Sequence, residues 1–565
     1  MRDDVVTGAP RWSSWVAGVA MVAGSILALP SVASANAPAD VIGQDPQHST
    51  TRSVGTLWGD ANADRAALNA LDEHTSLLDP GSLFALTKAI GARSVWSQRD
   101  AAGRAITGQG VTVAVLDSGV EAVPGLDAPR KIVRGPDLSL EANSTDVLAD
   151  DTFGHGTHMA GIIAAKDPAT TRSNELDPAD SIRQLGVAPD AQLLALKLAA
   201  TDGSADVSQI IAALDWVSQH RTDDGMNVRV VNLSFGTASV QPYQLDPLAA
   251  AAEHAWHRGL VVVVSGGNGG ADAGTLTDPA IDPYVIAVGA SDPQGTTAGW
   301  ASPSVADFSS RGTAERHVDL VAPGRSIASL RAPGSFVDRT YPEGRVAGDE
   351  TGRLFRGSGT SQAAAVVSGA AALVLQANPN LGPDQVKDAL LRTARSISGS
   401  TRIDAGAGQL DVLAAVAVAK ATARATAVPV ARARLSVDQS WPMSTGAGSL
   451  DAARGGSYLV DPQTGEVLSG EVDVVGTAWD PAAWSQASSD GTSWDGGEWM
   501  SARWSGDGWT STDWASARWS SARWSSARWS SARWSDGSWD SARWSRARWS
   551  GVTWESARWS SARWS

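Results

Sequence analysis

Three short motifs could together carry out nucleophilic attack on a carbonyl group. Asp117 lies in Val-Leu-Asp-Ser-Gly, His155 in Gly-His-Gly-Thr-His, and Ser361 in Gly-Thr-Ser-Gln-Ala-Ala. A carboxylate, an imidazole and a hydroxyl are the acid, base and nucleophile that acyl transfer through serine requires. Small residues flank all three, as a tight backbone around a reacting group needs. The chain order Asp, His, Ser separates this set from triads that occur in other orders.

The strand that would position Asp117 is predicted from an apolar run. Residues 111–116 have the composition of a strand buried on both faces, and Asp117 follows directly. Similar runs at 228–233 and 261–264 alternate with helical patterns, which indicates an α/β domain with a largely parallel sheet. Active sites of such sheets lie at the carboxyl ends of strands, where we expect Asp117. Taken alone, an Asp at this point could equally cap a turn.

Helices are predicted to begin at the other two residues. His155 opens a small-residue helix that runs to Ala165, and its imidazole titrates near neutrality, as a general base should. Ser361 leads into a helix over 362–375, whose N-terminus carries partial positive charge and a backbone N–H that can point at an oxyanion. Taken singly, the histidine could be a core or capping residue and the serine an ordinary member of its helix.

A second histidine, His158, would share a helix face with His155, three residues away. We interpret His158 as structural. A zinc site formed by the two is the alternative, but the spacing differs from His-Glu-x-x-His and no carboxylate lies between them. The sequence therefore argues against metal catalysis.

The three motifs, in this order, resemble those of the subtilisin-like serine peptidases, the subtilases of peptidase family S8. The resemblance runs from about residue 92 to about residue 420. It implies a subtilisin-like three-layer α/β fold with a largely parallel central sheet. It also implies hydrolysis of peptide bonds through an acyl-enzyme on Ser361, with His155 as base and Asp117 holding the imidazole.

The Ser361 motif departs from the commonest family pattern, Gly-Thr-Ser-Met-Ala-Ala-Pro-His-Val-Ala-Gly, at four places. Gln362 stands for Met, Ala365 for Pro, Val366 for His and Ser368 for Ala. None of the four supplies a catalytic group, so the departures bear on the shape of the nearby cleft.

The resemblance also implies an oxyanion site and two peptide-binding segments. Asn268, between glycines at the end of the 261–264 run, matches the oxyanion-stabilising Asn of the family. Substrate backbone would pair with Ser234, Phe235 and Gly236 and with a second segment around Gly203. Without the resemblance, Asn268 would be a turn residue and both segments plain strand-to-loop turns.

Composition narrows the partners and cofactors. The 565 residues carry a net charge of −15, which argues against a nucleic-acid partner because phosphate binding needs a basic face. The absence of cysteine excludes disulfides, a Cys nucleophile and thiolate metal sites. The resemblance implies that catalysis needs no cofactor, and it implies structural Ca²⁺ with ligands that the sequence does not identify.

The N-terminal residues are predicted to direct export. Residues 15–29 are apolar but short for a membrane span, which takes about 20 residues. Small residues follow, and we expect cleavage after Ala35, leaving residues 1–35 as the signal peptide and no transmembrane segment in the mature chain. A membrane anchor or buried helix is the alternative, since acidic residues accompany the basic ones near the start. We place the catalytic domain at residues 92–420. Residues 36–91, which precede it, are either a pro-segment or an extension packed on that domain.

The C-terminal part has a different pattern. A linker is predicted over 421–475, followed by a repeat region over 476–565. From Trp479 to Trp564 a tryptophan recurs every five residues, missing only at Ser489, so that seventeen of the 25 tryptophans lie there. Period five fits neither helix nor strand. A pentad-repeat solenoid, a flexible array that contacts a glycan, wall polymer or protein, and a tail with no specific partner remain open.

Two functions follow from these observations. The first is a secreted serine endopeptidase that acts on polypeptides; association with the cell wall through its tryptophan repeats would follow if the array contacts a glycan or wall polymer. The alternative is a cell-surface binding or assembly protein whose subtilisin-like scaffold is catalytically weak or inactive. The complete set Asp117, His155, Asn268 and Ser361 favours the first.

Overall fold

The structure is a computed structural model. It describes residues 79–142, 150–167, 185–271, 276–295, 297–349, 351–425, 439–456, 458, 467–495 and 497–503. The predicted signal peptide, residues 36–78 of the predicted pro-segment and the tryptophan repeats after residue 503 lie outside the described residues.

The centre of the described part is an eight-stranded sheet. Its strands are β1 Thr112–Asp117, β2 Ile132–Asp137, β3 Gln192–Lys197, β4 Val228–Leu233, β5 Val261–Ser265, β6 Ile286–Asp292, β7 Ser304–Val305 and β8 Leu320–Pro323. They lie in the order β2-β3-β1-β4-β5-β6-β7, with β8 also paired to β6. All pairs are parallel except β6 with β7. The predicted largely parallel sheet is confirmed.

Shorter strands lie outside this sheet. They form an antiparallel pair, β9 Ile327–Leu330 with β10 Leu354–Gly357, and an antiparallel meander, β11 Trp494–Asp495, β12 Glu498–Trp499 and β13 Ala502–Arg503.

Two pairs of helices pack on the sheet. The described α-helices are α1 Leu83–Ala89, α2 Ala92–Trp96, α3 His155–Ala164, α4 Val207–His220, α5 Pro247–His257, α6 Phe336–Thr340, α7 Thr360–Ala377, α8 Pro383–Thr393, α9 Arg402–Ala405, α10 Val412–Ala425, α11 Leu450–Arg454 and α12 Pro481–Asp490. Helix α3 packs with α7 and helix α4 with α5, and both pairs contact the sheet. This is the three-layer α/β arrangement that the resemblance implied.

Helix α7 is the central core helix. Every residue from Thr360 to Ala377 is buried. Among the helices that the structure describes, it alone is long and apolar enough to cross a membrane, yet it is enclosed by protein. Its small residues allow close packing, since a side chain at Gly369 would meet Val187 at 2.6 Å.

The candidate site lies at the carboxyl end of β1, and later strands extend the sheet on both sides of this strand. Strand β1 lies between β3 and β4, with Asp117 opposite Lys197 on one side and Leu116 opposite Leu233 on the other. The carboxyl ends of the three strands therefore reach the same edge. The loops after β3 and β4 flank Asp117 there, as expected for a binding crevice in such a fold.

Residues just before the predicted catalytic domain pack into it. Helix α1 buries Leu83 and Leu86. Asp79 forms an ion pair with Arg356 at 2.7 Å. Residues 79–91 thus pack against the catalytic domain, as a bound pro-segment or an extension would, so both interpretations of this region stay predictions.

The described residues from 439 to 503, here named the C-terminal segment, pack along α4 and α5. Helix α12 lies against α5, and helix α11 contacts both α4 and α5. The indoles of Trp484 and Trp499 are fully buried, and both donate to the Asp215 carboxylate of α4, at 3.0 and 2.9 Å. The first tryptophans of the repeat are therefore core residues, on a helix and a short meander.

Candidate active site

Asp117 and His155 are in direct contact. The last residue of β1 and the first residue of α3 approach so that His155 Nδ1 lies 2.8 and 2.9 Å from the two carboxylate oxygens of Asp117. Both side chains are completely buried. Because carboxylate oxygens accept hydrogen bonds, Nδ1 carries the hydrogen in this contact. In the neutral ring Nε2 then holds the lone pair, which is the form that a general base needs.

Glycine at position 156 permits this close approach. A side chain there would overlap the carbonyl oxygen of Gly119 and lie 3.1 Å from the Asp117 carboxylate. Gly119 itself has φ of 105°, which favours glycine. The small residues in the Asp and His motifs are thus required by the packing of α3 on the end of β1.

A buried carboxylate that the sequence analysis missed, Asp151, supports the start of α3. It accepts hydrogen bonds from the backbone N–H groups of Gly154 at 2.6 Å and Thr157 at 2.7 Å. It also accepts one from the Ser118 hydroxyl at 2.7 Å. Burial raises the pKa of Asp151 to about 6, against the effect of these hydrogen bonds. The sequence did contain a signal for this role, since Asp151 lies four residues before His155, where the helix begins.

Asn268 binds the N-terminus of α7, at the residue that precedes Ser361. Asn268 Oδ1 accepts from the backbone N–H and the hydroxyl of Thr360, both at 2.9 Å. The Gly267 N–H donates to the Thr360 hydroxyl at 3.2 Å. Since Thr360 precedes Ser361, the Asn268 side chain is held beside the predicted nucleophile, with its amide group on the side away from Thr360.

The helix that begins at the predicted base packs against the helix that carries the predicted nucleophile in its first turn. Helices α3 and α7, which begin at or next to His155 and Ser361, contact each other. Asp117, His155 and Ser361 each have no exposed surface in this structure.

The predicted peptide-binding residues lie on both sides of β1. Ser234, Phe235 and Gly236 follow β4, and the Ser234 hydroxyl lies 3.4 Å from the Ser361 carbonyl oxygen. Gly203 lies in the loop after β3 with φ of 82°, and the Phe153 ring packs where its side chain would be. The structure thus brings the segment after β4 to the predicted nucleophile and holds Gly203 across β1 from it.

His158 has the geometry of a structural residue. Its Nε2 lies 3.2 and 3.1 Å from the carbonyl oxygens of Ile327 and Phe355, so this nitrogen must donate. Burial lowers the pKa of His158 to about 3, which keeps the ring neutral. Within the described ranges, no group of three or more His, Cys, Asp or Glu side chains could hold a metal ion. The zinc alternative gains no support, and we derive no role for calcium.

Fold and site together define an α/β protein with a buried Asp-His pair and a buried serine in the first turn of a core helix. The subtilase family model matches residues 108–424, more than half of the sequence, and the chain belongs to this family of subtilisin-like serine endopeptidases. The family predicted from the three motifs is thereby confirmed. The C-terminal segment lies outside the matched residues.

Several known proteins are similar to this chain. The serine protease AprX of Bacillus subtilis (strain 168) is 37% identical over 294 residues, 51% of this chain and 62% of AprX. Subtilisin Savinase of Lederbergia lenta is 36% identical over 300 residues, 53% of this chain and 88% of Savinase. The crystal structure of MycP1 with the N-terminal propeptide removed aligns with a TM-score of 0.43 and 26% identity, covering 59% of this chain and 96% of that one. The match to AprX thus spans less than two thirds of that protein.

Proposed function

We propose that the chain is an exported serine endopeptidase in which Ser361 is the nucleophile, His155 the general base and Asp117 the group that orients the base. The contact of both Asp117 oxygens with His155 Nδ1, in a buried pair beside the start of α7, carries this proposal. It leaves Nε2 as the basic atom on the ring edge away from Asp117.

The first half of the reaction forms an ester. His155 Nε2 takes the Ser361 hydroxyl proton as the serine oxygen attacks the peptide carbonyl carbon. The imidazolium, stabilised by Asp117, then gives this proton to the leaving amine as the C–N bond breaks. In the second half, water attacks the acyl-enzyme with His155 again as base, which releases the acid and restores Ser361. The reaction uses only groups of the chain and water.

Two donors would stabilise the oxyanion. They are the backbone N–H of Ser361, at the positive end of α7, and the amide group of Asn268. The hydrogen bonds from Thr360 to Asn268 Oδ1 support this assignment, because they orient the side chain before substrate arrives. Loss of one such donor costs about 10² to 10³ in rate in enzymes of this mechanism.

The substrate would be an extended polypeptide. Residues 234–236 and the loop around Gly203 lie on either side of β1 and could pair with a peptide backbone by main-chain hydrogen bonds. Such pairing binds many sequences, and side-chain pockets then choose among them.

Export and activation complete the proposal. The apolar run at 15–29 supports a cleaved signal peptide. Because residues 79–96 are packed into the catalytic domain, a released pro-segment would end before Asp79. We propose synthesis as a zymogen, because a protease that is active before export would threaten the cell that makes it. We also propose that the repeats after residue 503 attach the protein to the cell wall by binding a glycan or wall polymer.

The test is covalent labelling of the chain without residues 1–35 by a fluorophosphonate, together with cleavage of unfolded casein. Ser361→Ala should abolish both. The matched control is Ser368→Ala on the same helix, where the serine hydroxyl donates to Asn232 Oδ1 at 2.9 Å, and it should keep both. A folded wild-type chain that shows neither, even after removal of the residues before Asp79, would favour the scaffold function.

A further inference from the structure

The C-terminal segment contacts the two chain segments that flank the predicted peptide-binding cleft. Its short helix α11 lies next to the start of α4, just after the loop containing Gly203, and next to the residues that follow Gly236. Two adjacent residues of this helix, Ala453 and Arg454, make the contacts. Neither belongs to the part of the chain that matches the family.

Arg454 anchors the side of the cleft that contains Gly203. Its side chain is fully buried, and its Nε and Nη2 donate to the two oxygens of Asp206 at 2.8 and 3.3 Å. Its Nη1 and Nη2 also reach the carbonyls of Gly470 at 2.8 Å and Val472 at 2.5 Å, and Nη1 lies 3.5 Å from the Asp451 carboxylate. Asp206 in turn accepts from Ser208 N at 2.9 Å as the N-cap of α4, so the ion pair holds the junction between the Gly203 loop and that helix.

Ala453 anchors the other side. Its carbonyl oxygen accepts from the Thr237 hydroxyl at 2.6 Å. Thr237 directly follows Gly236, and its backbone pairs with that of Asp278. Gly455, in the left-handed conformation at the end of α11, lets the helix end lie against the Ala238 backbone without a side-chain clash. The carbonyl of one residue and the guanidinium of the next therefore span the two segments.

The Arg454–Asp206 pair is suited to fixing a geometry. A buried guanidinium is tolerated only when its donors are satisfied, and its planar fork fixes the direction of each bond. Burial by itself would raise the pKa of Asp206, but the charge and hydrogen bonds of Arg454 bring it below the ordinary value, so the pair stays ionised. Ion pairs of this kind contribute more to position than to net stability.

We propose that Arg454 is a positioning residue that holds the Gly203 loop and residues 234–236 at the separation an extended peptide requires. The C-terminal segment would thereby determine how strongly substrates that reach beyond the scissile bond are bound. This inference rests on the proposed peptidase function and adds to it a residue outside the family region.

The test compares a short and a long substrate. In the full chain with Arg454→Met, KM for a pentapeptide anilide should rise about tenfold, as when one or two main-chain hydrogen bonds weaken. KM and kcat for a single-residue ester should stay at wild-type values, as should the rate of fluorophosphonate labelling. Arg454→Lys, which keeps the charge, should recover part of the affinity for the pentapeptide.

Two controls separate positioning from folding. Arg454→Met with Asp206→Asn removes both charges, so no unpaired ion is left buried if the single variant fails to fold. Lys387→Met breaks a different buried pair, with Asp319 at 3.4 Å, and should change stability without changing the preference for the long substrate. Equal long-to-short ratios in wild type, the Arg454 variant and the double variant would overturn the proposal.

Failure of the peptidase function would give a different result. A wild-type chain that is never labelled at Ser361 would contradict that function. Positioning is then decided by binding of the intact pentapeptide to Ser361→Ala chains with and without Arg454→Met, measured by calorimetry. A weaker Kd in the Arg454 variant supports the proposal, and equal Kd values or no binding to either chain overturn it.

Discussion

Asp215 allows a quantitative test of how the C-terminal segment is held. This carboxylate of α4 is buried and accepts three hydrogen bonds from the segment, from the Trp484 and Trp499 indoles and from the Ser488 hydroxyl at 2.5 Å. In Asp215→Ala both indoles lose their acceptor while remaining buried, whereas the Ser488 hydroxyl can turn to His254 Nδ1 at 2.8 Å. At about 1 to 3 kcal/mol for each unsatisfied indole, the loss is about 2 to 6 kcal/mol.

A loss of that size should detach the segment before the sheet unfolds. It is a large fraction of the whole stability of a domain, about 5 to 15 kcal/mol, but it falls on contacts at one surface of α4. We expect faster hydrogen exchange in residues 481–503, red-shifted tryptophan fluorescence and early proteolytic cleavage between α10 and α12. Asp490→Ala removes an exposed carboxylate of the same segment that contacts only Gln486 among the described side chains, and it should change none of these signals.

Asp215→Asn should behave quite differently from the alanine variant. The amide oxygen can accept from both indoles, and the amide NH₂ can donate to the Ser488 oxygen, which already receives a hydrogen bond from His254 Nδ1 at 2.8 Å. That hydroxyl proton can then turn to the ring nitrogen after a change of tautomer. Burial lowers the pKa of His254 to about 4, so the ring is neutral and can make this change. We expect the Asn variant to keep the segment attached.

The pH dependence distinguishes the two residues further. Burial raises the pKa of Asp215 above its ordinary value, so the folded chain holds the proton more tightly than the unfolded chain. Its contribution to stability is therefore present at low pH and decreases as pH rises from the unfolded pKa through the folded one. Asp215→Asn lacks this decrease. Its unfolding free energy relative to wild type should grow between pH 4 and neutrality, and a constant difference, or an alanine variant within 1 kcal/mol of wild type, would refute the reasoning.

Three shorter predictions concern the site. Asp117→Asn should fold but lower kcat by about 10⁴, because an amide at Nδ1 favours the wrong tautomer of His155; retention of activity in a steady-state assay would contradict the assigned role. Asn268→Ala should lower kcat by about 10² to 10³ with little change in KM, as measured on the same peptide. Gln362→Met should leave the unfolding free energy unchanged or raise it by up to about 2 kcal/mol, since both buried amide atoms have no hydrogen-bond partner within the described residues; clear destabilisation in denaturant titration would show that the amide is satisfied.

The elements that carry the motifs were predictable because their apolar patterns match their periods. The 228–233 run is β4 without any shift, and the run at 111–116 is β1 displaced by one residue. These strands are buried on both faces and flanked by glycine and polar residues, so local sequence determines their ends. The contact between Asp117 and His155 then follows from the topology, which brings the end of β1 to the start of α3.

The remaining features depend on contacts between residues distant in sequence. Asp151 looks like an ordinary helix-capping residue until its contact with Ser118 links it to the end of β1. Arg454 and Asp206 are separated by 248 positions, and no periodic pattern connects them. For the first tryptophans of the repeat, the period of five fits neither a helix nor a strand, and it left a solenoid, a flexible array and a tail without a partner open. Their structure is decided by burial on α4, where one carboxylate can accept from two indoles.

The attachment of the C-terminal segment shows which property these contacts provide. The chain has no cysteine, so no disulfide can tie the segment to the catalytic domain. Its deepest contacts, Arg454 with Asp206 and the indoles with Asp215, are polar and directional inside a low-dielectric region. Such contacts add little net stability over apolar packing, but each tolerates one arrangement only, because a displaced partner leaves a buried charge or donor unsatisfied. The segment is therefore held in one defined position on α4, next to the predicted cleft, as a positioning role for Arg454 requires.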